Sequence, residues 1–276
     1  MTIDVGNGNP GAEGIHWIGH NTSAIRNVTI KSEDRQGFMG LDMRTQYFGP
    51  ALARNVTIQG FQYGMGIDRA FSSVTMEHIT LLNQSKAGFQ LMQNIASIRD
   101  LTSVNRVPVI VATGTSALVV IGGNFSGGAG GNAAITFQSA GQVYLRNVNS
   151  AGYGSVAARS SSVVVRGSAV DEYSSAAVVS AFPTPSKALM LPIAEAPQWS
   201  DNNFADWANV KSYGAVGDGN HDDAAAIQAA IDSGKTTVYL PFGNYFIGSE
   251  IIVRSNVCLL RGFGSTLTGN GGYPAL

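Results

Sequence analysis

Three aspartates in a glycine-rich stretch, Asp218, Asp222 and Asp223, are the first group whose types and spacing could do chemistry. Oxygen donors gathered in this way suit a hard cation such as calcium. They also suit the start of a helix. Asp222 and Asp223 stand where an N-cap and a first-turn acid belong, beside unpaired N–H groups and the positive end of the helix dipole. The capping role is the one expected. His16 and His20 have the spacing of a metal-binding pair. Gly19 and the turn signals around it argue against a helix, so no metal is expected there. Glu77-His78 invites an acid–base reading, but adjacent strand residues point to opposite faces. Cys258 is the single cysteine. It can form no disulfide within the chain, and its strand-like surroundings assign it to core packing. No Ser/His/Asp or Cys/His arrangement emerges from the sequence, and no cofactor is expected.

The elements around the aspartates explain them further. Ile227, Ala230 and Ile231 recur at the spacing of one buried helix face, which predicts a short amphipathic helix over 222–232. Gly234 follows it, where a left-handed C′ position favours glycine. Gly214, Gly217 and Gly219 permit tight turns before it. Segments 237–240, 245–247 and 250–253 read as short strands between turns.

With 276 residues the chain is long enough for one large domain or two smaller ones. A hydrophobic content of 44% against 13% charge excludes a disordered tail. The 34 glycines, set between β-branched runs, favour an all-β solenoid over a helical bundle. A net charge of −1 gives no electrostatic case for nucleic acid or an anionic membrane. No segment reaches the roughly 18 consecutive apolar residues of a membrane-spanning helix. The first residues, Met1-Thr2-Ile3-Asp4-Val5-Gly6, do not have the pattern of a signal peptide.

A degenerate repeat runs from residue 1 to about 170. Six-residue pieces starting at Ile25, Ala53, Met76, Ile98 and Leu145 align, with separations of 28, 23, 22 and 47 residues. The last gap fits two coils, with 117–121 as the missing rung; 2–5 and 162–166 extend the series. One strand at a fixed phase every 20–30 residues means a stacked solenoid. Val28, Val56, Ile79, Leu101 and Val148 form its inward column, and Thr29, Thr57, Thr80 and Thr102 face out. Asn27, Asn55, His78, Asp100 and Asn147 form a polar column near a corner, able to link one coil to the next. Arg54, Glu77 and Arg99 predict an ion-pair ladder along the solenoid. The glycine-rich run 122–131 reads as a loop without the ending of a phosphate cradle. Residues 171–208, with Pro183, Pro185, Pro192 and Pro197, read as a connector packed by Leu189, Leu191, Trp199 and Trp207.

The block Tyr213-Gly214-Ala215-Val216-Gly217-Asp218-Gly219, then Asp222, Asp223, Ala226, Ile227, Gln228, Ala230 and Ile231, then 238–245, resembles the N-terminal cap of a pectate-lyase-superfamily right-handed parallel β-helix. In that superfamily a short helix plugs the open end of the first coil. The resemblance therefore implies a structural role for Tyr213, Gly214, Gly217, Asp218, Gly219, Asp222, Asp223, Ile227 and Ile231. Placed this late, the cap implies the final coils of a first β-helix over 1–170, a connector over 171–208, and the capped start of a second β-helix over 209–276. That arrangement makes the chain a piece of a tandem β-helix protein, similar to glycoside hydrolase family 55. Such a protein is an extracellular, inverting exo-β-1,3-glucanase acting on a polysaccharide, and its general acid would lie beyond residue 276. Glu250 matches no catalytic motif. On the first β-helix, Gln84, Gln93, Ser103 and Asn105 follow rungs where loops leave the wall and would position water and sugar. Phe61, Tyr63 and Phe89 would stack on sugar rings. The same cap also precedes polyuronate lyases and non-catalytic, tailspike-like glycan-binding solenoids, which are the alternatives.

Overall fold

The computed structural model describes residues 1–19, 21, 23–45, 48–68, 73–177, 179, 181–182, 191–195 and 203–269. His20, Pro183, Pro185, Leu189, Pro197, Trp199 and the final residues 270–276 lie outside these. Two compact units are present, Met1–Leu189 and Met190–Leu276.

The first unit is a parallel β-solenoid. Its strands alternate along the chain between two eight-stranded sheets. One sheet is built from long strands, among them Ser23–Lys31, Ala51–Gln59, Ser73–Leu82, Ile95–Val104, Ala117–Ser126 and Gln142–Ser150. The other is built from shorter strands, among them Glu13–His16, Met39–Met43, Tyr63–Asp68 and Ala87–Met92. Val28, Val56, Ile79 and Leu101 are register partners in the long-strand sheet, and all are buried, as the inward column requires.

Every long strand is bent by one residue. Asn27, Asn55, His78, Asp100, Gly122 and Asn147 have φ between 51° and 75°. Asn, Asp and His tolerate this left-handed conformation better than β-branched residues do, which explains the column's composition. The bend inserts one residue into the alternation. In Ala51–Gln59, Ala51 and Ala53 point inward, and after Asn55 the inward residues are Val56 and Ile58. The column also links coils: Asn55 Nδ2 donates to Asn27 Oδ1 at 2.8 Å, and His78 Nδ1 meets Asp100 Oδ2 at 2.6 Å. The Arg54–Glu77–Arg99 ladder forms at 3.2 and 3.4 Å.

Several expectations are corrected. The missing rung runs to Ser126, so residues 122–126 are strand, not loop. There Gly123 takes the aliphatic column position between Leu101 and Val148, and a Cβ on it would come within 2.9 Å of the Phe125 ring. The aromatic ring thus fills the space the missing side chain leaves. Ser162–Val165 is not a further rung. Ser160, at φ 53°, reverses the chain, and the strand pairs antiparallel with Ser155–Arg159. Ala169–Ser174 likewise pairs antiparallel with Gln142–Ser150, so both sheets end in an antiparallel strand.

The second unit has two three-stranded parallel sheets. One holds Trp207–Asn209, Thr237–Leu240 and Leu259–Gly262; the other holds Asp218–Asp222, Gly243–Ile247 and Ser265–Gly269. The helix spans Ala224–Ile231, two residues shorter at its start than predicted. Ile227, Ala230 and Ile231 bury against Val210, Ala215, Val238 and Tyr245. Residues 250–253 are irregular rather than a strand, and Cys258 is only half-buried, just ahead of Leu259–Gly262.

Candidate functional site

In the short-strand sheet, two consecutive coils bring four charged or ionisable side chains together. His16 and Asp42 are register partners on Glu13–His16 and Met39–Met43. His16 Nδ1 lies 3.0 Å from Glu13 Oε2 and 3.9 Å from Asp42 Oδ2. Arg44 grips Asp42 with two parallel bonds, Nε to Oδ1 at 2.9 Å and Nη2 to Oδ2 at 2.6 Å. Its Nη2 is also 3.6 Å from Glu13 Oε1. The next coil makes room for this: a Cβ on Gly66 would come within 2.6 Å of Met39 and 3.1 Å of Arg44.

Burial and charge divide the roles. Asp42 is buried, whereas the His16 side chain is half exposed. Burial raises the Asp42 carboxyl, but hydrogen bonds from the Arg44 side chain and the Arg44 backbone N–H outweigh it, and the group lies below its usual range. Arg44 is raised, chiefly by the same bond. An ionised carboxylate only accepts, so a neutral His16 facing Glu13 carries its hydrogen on Nδ1 and leaves the Nε2 lone pair unprotonated. That is the form of a general base. Arg44 Nη1 makes no hydrogen bond among the described residues, which leaves a cationic donor beside the base. Glu13, His16 and Asp42 bring ligand atoms within 4.8 Å of one another, as a metal site would. The guanidinium already bound to both Asp42 oxygens would repel a dication at that position.

The residues expected to contact substrate lie elsewhere, mostly inside. Phe61 and Phe89 are fully buried, so neither ring offers a face to a sugar. Gln84, Ser103 and Asn105 are buried too and form one network between coils. Gln84 Nε2 donates to the carbonyls of Ile58, Gly60 and Leu82 at 2.9–3.1 Å. Asn105 Nδ2 donates to Gln84 Oε1 and Ser103 Oγ, both at 2.8 Å. Buried turn carbonyls need donors, and these side chains supply them. Gln93 is an exposed turn residue at φ 52°. Tyr63 alone among the seven combines an aromatic ring with partial exposure. It packs edge-on against Phe38 at 5.7 Å, with the Lys86 ammonium 5.5 Å from its ring centre.

The three cap aspartates all accept from backbone N–H groups. Asp222 ends a strand, and its Oδ1 accepts from the backbone N–H groups of Ala224 and Gly248 at 3.1 and 2.9 Å. Asp223 is fully buried and turns away from the helix to accept from Val216 and Gly217 N–H at 2.7 and 3.0 Å. Asp218 holds the turn through Asn220 and His221 N–H, both at 2.8 Å. Gly214, Gly217 and Gly219 all have positive φ, and Tyr213 is partly exposed. All three carboxylates are engaged by backbone, which is what a fold-holding role requires.

A second surface feature belongs to the other unit. Phe204, Trp207, Tyr239 and Phe263 form a row of edge-to-face rings that, with Asn209, line a hollow of about 240 Å³.

Comparison with known proteins agrees with this architecture. Residues 207–275 match the family described as rhamnogalacturonase A/epimerase, pectate lyase-like. The match is confined to the second unit, which is similar to that pectate-lyase-like family, while the first unit is a parallel β-solenoid. The chain is similar to the mannuronan C5-epimerase AlgE3 of Azotobacter vinelandii, 48% identical over 71 residues, covering 21% of this chain and 4% of the relative. Alginate lyase 7 of the same organism matches at 48% over 71 residues, covering 21% of this chain and 8% of the lyase. A plasmin and fibronectin-binding protein A of Streptococcus pneumoniae (strain ATCC BAA-255 / R6) matches at 47% over 62 residues, covering 20% of this chain and 9% of that protein. The chain therefore spans less than a tenth of the length of each of these relatives.

Proposed function

We propose that this chain is part of an extracellular carbohydrate-active protein that acts on an acidic polysaccharide by removing the proton next to a uronate carboxylate. The observation that carries this reading is the pairing of partly exposed His16, held by Glu13, with partly exposed Arg44, held by Asp42, on adjacent coils of one sheet. A carbon acid beside an ionised carboxylate is hard to deprotonate, because the intermediate gathers a second negative charge. A guanidinium at that carboxylate offsets the charge, and a neutral imidazole at hydrogen-bond reach takes the proton. Returning the proton on the opposite face inverts the sugar; expelling the 4-linked oxygen instead cleaves the chain and leaves an unsaturated ring. The names of the epimerase and lyase relatives support this class of chemistry.

The rival reading is an inverting exo-β-1,3-glucanase. Inversion with two carboxyls needs them about 6.5–9.5 Å apart to admit water. Glu13 and Asp42 bring oxygens within 4.8 Å, so an inverting hydrolase would need its acid elsewhere. A non-catalytic glycan-binding solenoid would bind without turnover.

The test uses mannuronan in deuterated water with the protein of residues 1–276. Deuterium incorporation at C5, or ultraviolet absorbance from unsaturated ends, is expected. His16→Gln should lower either signal about 100-fold or more, and Arg44→Gln should raise KM. Hydrolysis of laminarin-type glucan with neither signal on mannuronan would replace this reading by the hydrolase.

A further inference from the structure

We propose that the aromatic row of the second unit is a separate binding platform for an acidic polysaccharide. It stands on different residues from the His16 site and shares with it only the class of ligand. Trp207 and Tyr239 come from neighbouring strands of one sheet, Phe263 directly follows the third strand, and Phe204 precedes the first. Ring centres are 4.7, 5.4 and 5.9 Å apart in sequence along the row. From Trp207 to Tyr239 to Phe263 each coil thus adds one ring, and Phe204 is a second ring on the first coil. Phe204 and Phe263, at the two ends, are 74% and 61% exposed. A row with exposed end rings and half-buried Trp207 and Tyr239 between them leaves aromatic surface open to a ligand. Sugar rings carry apolar C–H faces that stack on such aromatics while their hydroxyls stay wet.

Charge selects an acidic chain over a neutral one. The Lys235 ammonium is fixed at the row by the carbonyls of Ala205 and Trp207, at 2.8 and 3.2 Å. Arg261 is the register partner of Tyr239. Lys211 stands two residues after Asn209 and places its Nζ 3.4 Å from the Phe242 carbonyl. Asp206, between Phe204 and Trp207, accepts from Asn203 Nδ2 at 2.8 Å and keeps its charge, which the three cations outnumber. A uronan offers a carboxylate on every ring to this cationic border and a C–H face to the aromatics.

The indole N–H resonance of Trp207, assigned with Trp207→Phe, reads this site alone. Titration of the protein of residues 1–276 with mannuronan oligomers should shift it saturably. Neutral laminarin oligomers should bind about tenfold more weakly or less. The double variant Phe204→Ser, Phe263→Ser changes exposed side chains, so its circular dichroism and melting should stay as in the parent while its affinity falls about tenfold or more. Lys235→Gln with Arg261→Gln should weaken mannuronan binding and flatten its salt dependence. The platform is overturned if the Trp207 signal does not respond to mannuronan. Laminarin binding as tightly, or the serine variant binding like the parent, would also overturn it. The Arg44→Gln variant separates the two sites: the Trp207 shift persists there even if the uronate chemistry proposed above is absent.

Discussion

Asp222 and Asp223 are neighbours with different tasks. Asp222 ties a strand end and the helix start to Gly248 in the next coil, and backbone N–H groups of Gly248 and Ala224 hold its carboxyl below the usual range. Asp218 is lowered in the same way, chiefly by His221 and Asn220 N–H. A folded value below the unfolded one means stability that is present above the ordinary carboxylate range and is lost as pH falls through the depressed folded value. The melting temperature of the second unit should therefore fall on acidification below about pH 4, and Asp222→Asn should flatten that slope. Asp223 works through burial instead. Asp223→Ala would orphan the Val216 and Gly217 N–H groups, at about 1–3 kcal/mol for each buried donor left unpaired. Chemical denaturation should show that loss in the second unit. An unchanged midpoint would mean that water reaches the turn.

At the scale of the element, the bent long strand is the device that makes the solenoid. One left-handed residue per coil lets both halves of the strand face inward, and the Asn, His and Asp side chains then link coils. The ion ladder sits beside this column. Arg54, Glu77 and Arg99 side chains are 14–19% exposed, between a surface pair and a buried one. The 3.2 Å approach of Arg54 Nε to Glu77 is an ion pair off hydrogen-bond alignment, since Arg54 Nε and Nη2 have no hydrogen-bond partner. Glu77→Gln leaves two guanidiniums facing an uncharged group and should destabilise the first unit by about 1–3 kcal/mol, between the exposed and buried limits. A double-mutant cycle with Arg99→Gln checks it, and additive losses would show that Glu77 and Arg99 are not coupled.

At the scale of the whole molecule, each unit has its own apolar core, one around Val56, Ile79 and Leu101 and the other around Ile227, Ile231 and Val238. Leu101→Ala should cost the first unit about 2–5 kcal/mol, and hydrogen exchange should show the second unit's protection unaltered. Ile231→Ala should do the reverse. A single transition that moves with either substitution would make the two cores one cooperative unit. Within the first unit, long-strand partners lie roughly one repeat apart in sequence, which suits coil-by-coil propagation.

The sequence by itself determined the solenoid, because a repeated strand must place the same side-chain type at the same phase of every coil. The Val28–Leu101 column, the Arg54–Glu77–Arg99 ladder and the helix face of Ile227 and Ile231 were all legible for that reason. The short-strand sheet went unread. A weaker period, Gly14, Gly40, Gly64 and Gly88, each followed by an aliphatic or aromatic residue, carried its register; a Cβ on Gly40 would meet Ile58 at 2.3 Å and the Gly64 carbonyl at 2.8 Å. Two residues beyond those glycines stand His16, Asp42, Gly66 and Gln90, the column that holds the candidate site. Only the tertiary structure decided which polar residues meet. Gln84 and Asn105 look like substrate contacts in a linear reading, and turn carbonyls from neighbouring coils claim them. Glu13 and Arg44 are 31 positions apart and show no pattern until one coil stacks on the next. Phase within a coil is written in the chain; what lies across the gap between coils depends on loop lengths, and those become distances only when the coils close.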